Sequence, residues 1–186
     1  MDAGQTQLIH ERIIVGGFGG QGVLLAGHLL AVACMNRGLN VTDIPSYGAE
    51  MRGGTASCSV VISGEAISSP LVAEPTIVIA LNRPSLLKFE TSLKTNGLLI
   101  YNTSLIEDLP QRSDIEVVGL PATELSRRFG SERAGNVACV GRLLALRPEL
   151  ASVEDIEATL DLVISERNRI HNPVNKQVLR AGFEFV

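Results

Sequence analysis

Residues 12–22 have the sequence RIIVGGFGGQG, in which a β-branched run ends in a dense cluster of glycines. The apolar run at residues 12–16 predicts a short buried strand, and the glycines predict a tight turn after it. Residues 21–37 then predict a helix that is apolar on nearly every side, which is typical of a helix covered on more than one face. Together the strand, the glycine turn and the helix indicate the first unit of an α/β fold.

The rest of the chain continues this alternation of strand and helix patterns. Strands are predicted at residues 39–44, 55–62, 76–81, 98–101 and 115–119, and helices at residues 84–94, 123–129 and 137–146, with two more starting after Ser152 and at Asn172. A turn at residues 63–65 predicts that residues 66–69 return as the second strand of an antiparallel hairpin. We therefore expect a single three-layer α/β domain over residues 1–186, Rossmann-like, with a mainly parallel sheet and an inserted β-hairpin.

The composition restricts the class of protein. The chain has 186 residues, of which 45% are hydrophobic and 19% charged, and its formal net charge is −4. This balance excludes a disordered chain, and the lack of a basic tract leads us to expect no nucleic-acid partner. The first residues lack a signal-peptide pattern, and the longest apolar run, residues 23–35, is too short to span a bilayer. We therefore expect a cytoplasmic protein with no membrane partner.

The cysteines and histidines suggest no chemistry of their own. Cys34, Cys58 and Cys139 lie far apart and form no CxxC pair, which argues against disulfides, zinc and iron–sulfur ligation on this chain. His28 lies inside an apolar helix pattern and is predicted to be a hydrogen-bonded core residue. We therefore expect no catalytic residue and no metal ligand in this chain.

The glycine turn is the first candidate binding site. Its members are Gly17, Gly19, Gly20, Gln21 and Gly22, and they satisfy the pattern G-x-G-x-x-G between a strand and a helix. Such a loop lets a phosphate approach free N–H groups at the helix start, but it also serves simply to bring a helix close to a sheet. Asp43 follows Gly22 by 21 residues, so an NAD-dependent oxidoreductase using Gly17, Gly19, Gly22 and Asp43 is an alternative. Such an enzyme would still need an acid–base group that the sequence does not offer.

A second glycine-rich loop covers residues 45–54. Its candidate site residues are Ser46, Tyr47, Gly48, Glu50, Arg52, Gly53 and Gly54. It follows a predicted strand, and ligands of open α/β sheets gather at the carboxyl ends of strands. Arg52 is the candidate anion partner, because a guanidinium makes two-pronged contacts with phosphate or carboxylate. An exposed turn with solvated Glu50 and Arg52 is the alternative.

The two loops together resemble the gamma subunit of 2-oxoacid:ferredoxin oxidoreductases. The resemblance covers roughly residues 10–183 and includes residues 82–85, 97–100, 136–141 and 175–182 in the order found in that family. Phe18 and the Ser46-Tyr47-Gly48 segment are most similar to the 2-oxoglutarate and branched-chain 2-oxoacid enzymes. Ala49 is a departure, since relatives often carry proline there, and it loosens the expected geometry of the loop.

The resemblance implies a division of labour among subunits. Enzymes of this family decarboxylate a 2-oxoacid on thiamine diphosphate, pass electrons through iron–sulfur clusters to ferredoxin, and transfer the acyl group to coenzyme A. It implies that the thiamine diphosphate and the clusters belong to partner alpha, beta and delta subunits. It further implies that this chain, inactive alone, contacts coenzyme A through the two loops near the active-site entrance. An interaction module without redox chemistry is a further alternative.

Overall fold

A computed structural model describes residues 9–48 and 54–186 of the chain. Within them the strands are β1 (His10–Phe18), β2 (Asn40–Tyr47), β3 (Thr55–Ser63), β4 (Ile77–Ala80), β5 (Leu98–Asn102) and β6 (Glu116–Leu120). The helices are α1 (Val23–Asn36), α2 (Arg83–Glu90), α3 (Ala122–Arg127), α4 (Gly135–Leu146), α5 (Val153–Val163) and α6 (Asn172–Glu184), with a 3₁₀ helix at Glu166–His171 before α6. The predicted alternation of strands and helices is thus confirmed, while the 3₁₀ helix was not predicted.

The six strands form one mixed sheet in the order β2-β3-β1-β4-β5-β6. Strands β1, β4, β5 and β6 run parallel, so the sheet is mainly parallel as predicted. The antiparallel hairpin is also present, but β2 and β3 form it, and β3 pairs in turn with β1. The prediction that residues 66–69 form its second strand is wrong, because these residues adopt no strand and are mostly exposed.

The sheet lies between two unequal helical layers. Alternate strand residues point to opposite faces, so Ile13 and Val15 join the larger core with α1, α3, α4, α5 and α6, whereas Ile14 joins the smaller core under α2. Fully buried leucines such as Leu29 in α1 each contribute about 1.5–3 kcal/mol by leaving water. The three-layer α/β architecture is therefore confirmed. No helix in the described ranges is both long and apolar enough to cross a membrane.

Helices α4 and α6 cross at very short range because glycines lie at the contact. A Cβ atom on Gly182 would overlap the carbonyl oxygen of Ala138, and one on Gly141 would overlap the carbonyl oxygen of Leu179. These two glycines fall in the stretches 136–141 and 175–182 that carry part of the family resemblance. Their role in the structure is close packing, and the crossing fixes how the amino ends of α4 and α6 lie beside the sheet.

The helix starts fall into two groups. Asn82 caps α2 by accepting a hydrogen bond from Ser85 N, and Ser152 and Asp155 form a reciprocal capping box at α5, as predicted from that spacing. By contrast, α1, α4 and α6 begin without a side-chain cap and without an acidic residue in the first turn. Their first N–H groups are therefore available to other partners.

Candidate functional site

The two predicted loops meet at one edge of the sheet. Phe18 at the end of β1 pairs with Thr55 at the start of β3, which brings the carboxyl end of β1 beside the β2–β3 connection. The backbone N of Gly19 then donates to the carbonyl oxygen of Gly54 at 3.1 Å, and Gly48 N donates to Thr55 O at 2.7 Å. Glu50, Arg52 and Gly53 lie outside the described residues. The described ends of the two loops are thus joined directly by hydrogen bonds.

Gln21 holds the glycine turn in shape. Its Oε1 accepts a hydrogen bond from Phe18 N at 2.6 Å, and its Nε2 donates to Leu81 O at 3.2 Å. A Cβ atom on Gly17 would lie 2.8 Å from that same Oε1, so the fold requires glycine there. These contacts favour the structural interpretation for Gly17 and Gln21, while Gly19 and Gly20 are exposed.

Gly22 ends the turn and begins α1. Its φ of +73° lies in the left-handed region that favours glycine. Its carbonyl oxygen accepts a hydrogen bond from Asn136 Nδ2 at 3.0 Å, so the start of α1 is tied to the start of α4. Asn136 was not predicted as a site residue, although it opens one of the stretches that carry the family resemblance.

A cleft of about 930 Å³ opens beside Gly20 and Gly22 at this edge. Its polar lining comes from Arg133 and Asn136 at the start of α4 and from His171 and Asn175 at the start of α6. Sequence reasoning missed Arg133 and treated His171 as unremarkable. The signal that could have found them is a basic residue directly before a helix start that has no acidic residue in its first turn.

The electrostatic character of the cleft follows from these helix starts. The amino ends of α1, α4 and α6 all face it, and each carries partial positive charge. The one carboxylate in the lining, Glu132, is paired with Arg127 at 3.1 Å. Arg133 pairs with no carboxylate among the described residues. The cleft therefore favours an anionic group.

The other predicted loop lines a separate hollow. Ser46, Tyr47 and Gly48 face the start of α2 across a space of about 90 Å³, together with Ser85 and Lys88. Tyr47 is largely exposed, at 69%. The predicted site residues thus lie on one edge of the sheet but in two hollows, with the Gly19–Gly54 hydrogen bond between their backbones.

Asp43 does not lie where a ribose-binding acid would be needed. It pairs with Val60 in β3, five residues along that strand from Thr55, which is roughly 16 Å from the edge that holds the glycine turn. Its carboxylate is occupied, because Cys58 Sγ donates to Oδ1 at 2.8 Å and His28 Nδ1 lies 2.9 Å from Oδ2. The NAD alternative is therefore not favoured.

The same cluster corrects one prediction and explains another. The side chain of His28 is hydrogen-bonded as predicted, but it is 53% exposed, so the prediction of a core histidine is wrong: its helix face turns toward the edge strand β2 and solvent. Burial, aided by the hydrogen bond to Asp43, raises the pKa of the Cys58 thiol well above its usual range. Burial likewise raises the pKa of Cys34 and of Cys139 to about 12. These thiols are packing groups and poor nucleophiles.

Comparisons with known proteins agree with this architecture. The chain is 36% identical over 174 residues to the ketoisovalerate oxidoreductase subunit VorA of Methanothermobacter marburgensis, covering 94% of this chain and 36% of that one. It is 35% identical over 142 residues to the 2-oxoglutarate synthase subunit KorC of the same organism, covering 73% of this chain and 76% of that one. The chain thus spans about a third of the length of the VorA relatives that it matches.

A solved structure and a family model complete the comparison. The gamma subunit of a keto/oxoacid ferredoxin oxidoreductase from Geobacter sulfurreducens superposes with a TM-score of 0.79 at 26% identity, covering 94% of this chain and 96% of that one. Residues 12–185 match the model of the family described as pyruvate ferredoxin/flavodoxin oxidoreductase. Since this match covers nearly the whole sequence, the chain belongs to the pyruvate ferredoxin/flavodoxin oxidoreductase family.

Proposed function

We propose that this chain is the gamma component of a multi-subunit 2-oxoacid:ferredoxin oxidoreductase, folded as one domain and working in the cytoplasm. The complex would convert 2-oxoglutarate or a branched-chain 2-oxoacid to an acyl-coenzyme A and pass the electrons to ferredoxin. Support for the substrate class comes from the similarity to a 2-oxoglutarate synthase subunit and to a ketoisovalerate oxidoreductase subunit. Support for the gamma role comes from the full-length structural match to a gamma subunit.

The partners would carry the redox and decarboxylation chemistry. Thiamine diphosphate and the iron–sulfur clusters would be held by alpha, beta and delta subunits, and the chain described here would contact coenzyme A. This division suits a chain whose three cysteines are separate and buried. In the described part of the chain, no three histidine, cysteine or carboxylate side chains converge to hold a metal ion.

The observation that carries the proposal is the meeting of the two loops. Gly19 and Gly54 join them at the carboxyl edge of the parallel strands, where α/β proteins bind ligands. The residues proposed to contact or shape the coenzyme A site are Gly17, Gly19, Gly20, Gln21, Gly22, Ser46, Tyr47, Gly48, Glu50, Arg52, Gly53 and Gly54. Among them Gly17 and Gln21 would act through the shape of the turn, and Arg52 would bind an anion directly.

Reconstitution tests the assignment of this chain to the complex. The chain is produced with and without the thiamine- and cluster-binding chains, and reduction of a viologen dye is followed with 2-oxoglutarate or with ketoisovalerate as substrate. We expect coenzyme A-dependent turnover only when all chains are present. Turnover by this chain alone, or full turnover of the other chains without it, would contradict the proposal.

A variant series tests the loop. A hydrogen bond to a charged group contributes about 1.5–3 kcal/mol, so Arg52→Ala should raise the KM for coenzyme A, or weaken assembly, by about 10- to 150-fold. Arg52→Lys should recover part of this loss, because an ammonium group cannot make the two-pronged contact. Lys94→Ala, which removes a positive charge before β5 at the opposite edge of the sheet, is the matched control. Unchanged constants and full assembly in Arg52→Ala would show that the loop has no such role.

A further inference from the structure

The cleft between the starts of α1, α4 and α6 is a separate feature from the loop at residues 45–54. Its lining contains none of the described residues of that loop, and it meets the glycine turn only at Gly20 and Gly22. With a volume of about 930 Å³, it is large enough for a drug-sized or nucleotide-sized ligand. The family resemblance contributed nothing to its recognition, since neither Arg133 nor His171 belongs to the stretches that carry that resemblance.

The cationic side of the cleft is formed by Arg133. Its guanidinium is exposed, and no carboxylate among the described residues lies within ion-pairing distance of it. The neighbouring Glu132 has its own partner in Arg127, so it leaves the charge of Arg133 uncompensated. His171, the residue before α6, adds an imidazole to the same lining. A guanidinium beside unfilled helix amino ends is well suited to a phosphate group.

Asn136 supplies an independent indication of a ligand. The residue is 97% buried by the complement of its 3% exposure, and its Nδ2 is used in the hydrogen bond to Gly22 O. Its Oδ1 accepts no hydrogen bond from any residue in the described part of the chain, although Asn136 lines the cleft. A buried amide oxygen without a donor is costly unless water or a ligand supplies one.

The remainder of the lining is apolar. Leu25 of α1, Val137 of α4 and Val174 of α6 form a floor beneath the polar groups. A small inorganic ion would leave that floor unused. A ligand with a phosphate at one end and a ring or chain attached to it would cover both parts.

We propose that this cleft binds the phosphate-bearing end of a nucleotide-type ligand, with Arg133 contacting the phosphate and the Asn136 amide contacting an attached donor group. The inference rests on the proposed function, under which that ligand is coenzyme A, whose diphosphate is joined to both an adenosine and a pantetheine part. The sulfur-bearing end would then extend along the edge toward the Gly19–Gly54 contact.

Calorimetric titration of the full chain within the assembled complex tests this assignment with three probes. Coenzyme A and ADP carry phosphates, whereas pantetheine carries none. Arg133→Ala should weaken coenzyme A and ADP by about 10- to 150-fold and leave pantetheine unchanged, and Arg133→Lys should recover part of the loss. Asn136→Asp, which places a carboxylate in the cleft, should weaken coenzyme A further than Arg133→Lys does. Lys94→Ala is the control for removal of one positive charge and should change none of the three affinities.

Two results would overturn the inference. One is an unchanged affinity of Arg133→Ala for both phosphate-bearing probes, and the other is an equal loss for pantetheine, which would indicate a general distortion. Either result would leave the proposed function standing if the complex still turned over. Conversely, Arg133-dependent ADP binding by a chain that supports no oxidoreductase activity would support the cleft and refute the proposed function.

Discussion

The side-chain amide of Asn136 occupies the space where a side chain on residue 22 would lie. Its Nδ2 donates to Gly22 O at 3.0 Å, and a Cβ atom on Gly22 would be 2.5 Å from that nitrogen. Gly22 is thus required twice, once by its left-handed φ of +73° and once by this contact. The pair joins the first helix to the fourth across 114 residues of sequence and sets the wall of the cleft.

Gly22→Ala should therefore destabilise the chain more than backbone strain alone. A left-handed alanine costs about 1–2 kcal/mol, and the overlap with Asn136 adds about 1 kcal/mol or more. Gly38→Ala is the matched control, because Gly38 has a φ of +84° and no atom within 4 Å of its hypothetical Cβ. Unfolding in urea should show the larger loss for Gly22→Ala. Equal losses in the two variants would mean that the Asn136 contact has no energetic weight.

The architecture could be predicted from sequence because local signals agree along the chain. The strand at residues 12–16, the capping residues Ser152 and Asp155, and the proline in the first turn of α2 all act within a few residues of themselves. The partner of β3 was predicted wrongly because a turn at residues 63–65 suggests a hairpin, whereas the long β2 strand, with its exposed edge, offers better pairing. Strand pairing is a tertiary property that turn composition alone does not determine.

The candidate site was predictable only in part. The glycine turn and the second loop were found, since each is a compact sequence motif, and the structure joins them at one edge. Arg133, Asn136 and His171 reach the same edge only because α4 and α6 cross at Gly141 and Gly182. No spacing rule connects residues so far apart in sequence. Asp43 had the expected spacing but the wrong position in the sheet, since register determines where a strand residue lies relative to the edge.

Gly182→Ala tests the crossing of α4 and α6. Alanine in a helix interior is favoured over glycine by about 1 kcal/mol, yet here the Cβ atom would overlap the backbone of Ala138. Because a backbone atom cannot move aside alone, the two helices must separate, and we expect a net loss of about 1–3 kcal/mol in unfolding free energy. Gln177→Ala, at an exposed position of the same helix, should be neutral or slightly stabilising. A stabilised Gly182→Ala variant would show that the crossing tolerates a wider separation.

The cysteines should be unreactive while the chain is folded. Burial raises the pKa of Cys34 and of Cys139 to about 12, and Cys58 is shifted in the same direction by burial and by its hydrogen bond to Asp43. Little thiolate therefore forms at pH 8, and the reagent has no access to the sulfur atoms. An aromatic disulfide reagent should label no thiol of the native chain within minutes and all three in urea. Labelling of the folded chain at the rate of free cysteine would contradict this, and Cys58→Ala would identify whether Cys58 was responsible.

The capping box of α5 should give a pH dependence of defined sign. The Asp155 carboxylate accepts a hydrogen bond from Ser152 N at 2.9 Å, and this bond lowers the pKa of Asp155 below its ordinary value of about 3.9. A carboxylate with a depressed pKa stabilises the folded state above the unfolded value, and this contribution is lost as the pH falls through the folded value.

Asp155→Asn and Ser152→Ala separate the charged part of the box from the neutral part. At pH 7 Asp155→Asn should lose about 0.3–1 kcal/mol, the usual effect of a negative charge at a helix amino end, and this loss should shrink between pH 5 and pH 3. Ser152→Ala removes the hydroxyl oxygen that accepts from Asp155 N at 3.1 Å, which should cost about 1 kcal/mol at both pH values. Urea unfolding at pH 7, 5 and 3 measures both differences. If the loss in Asp155→Asn is the same at pH 3 as at pH 7, the carboxylate charge makes no contribution, and the hydroxyl cap alone holds the start of α5.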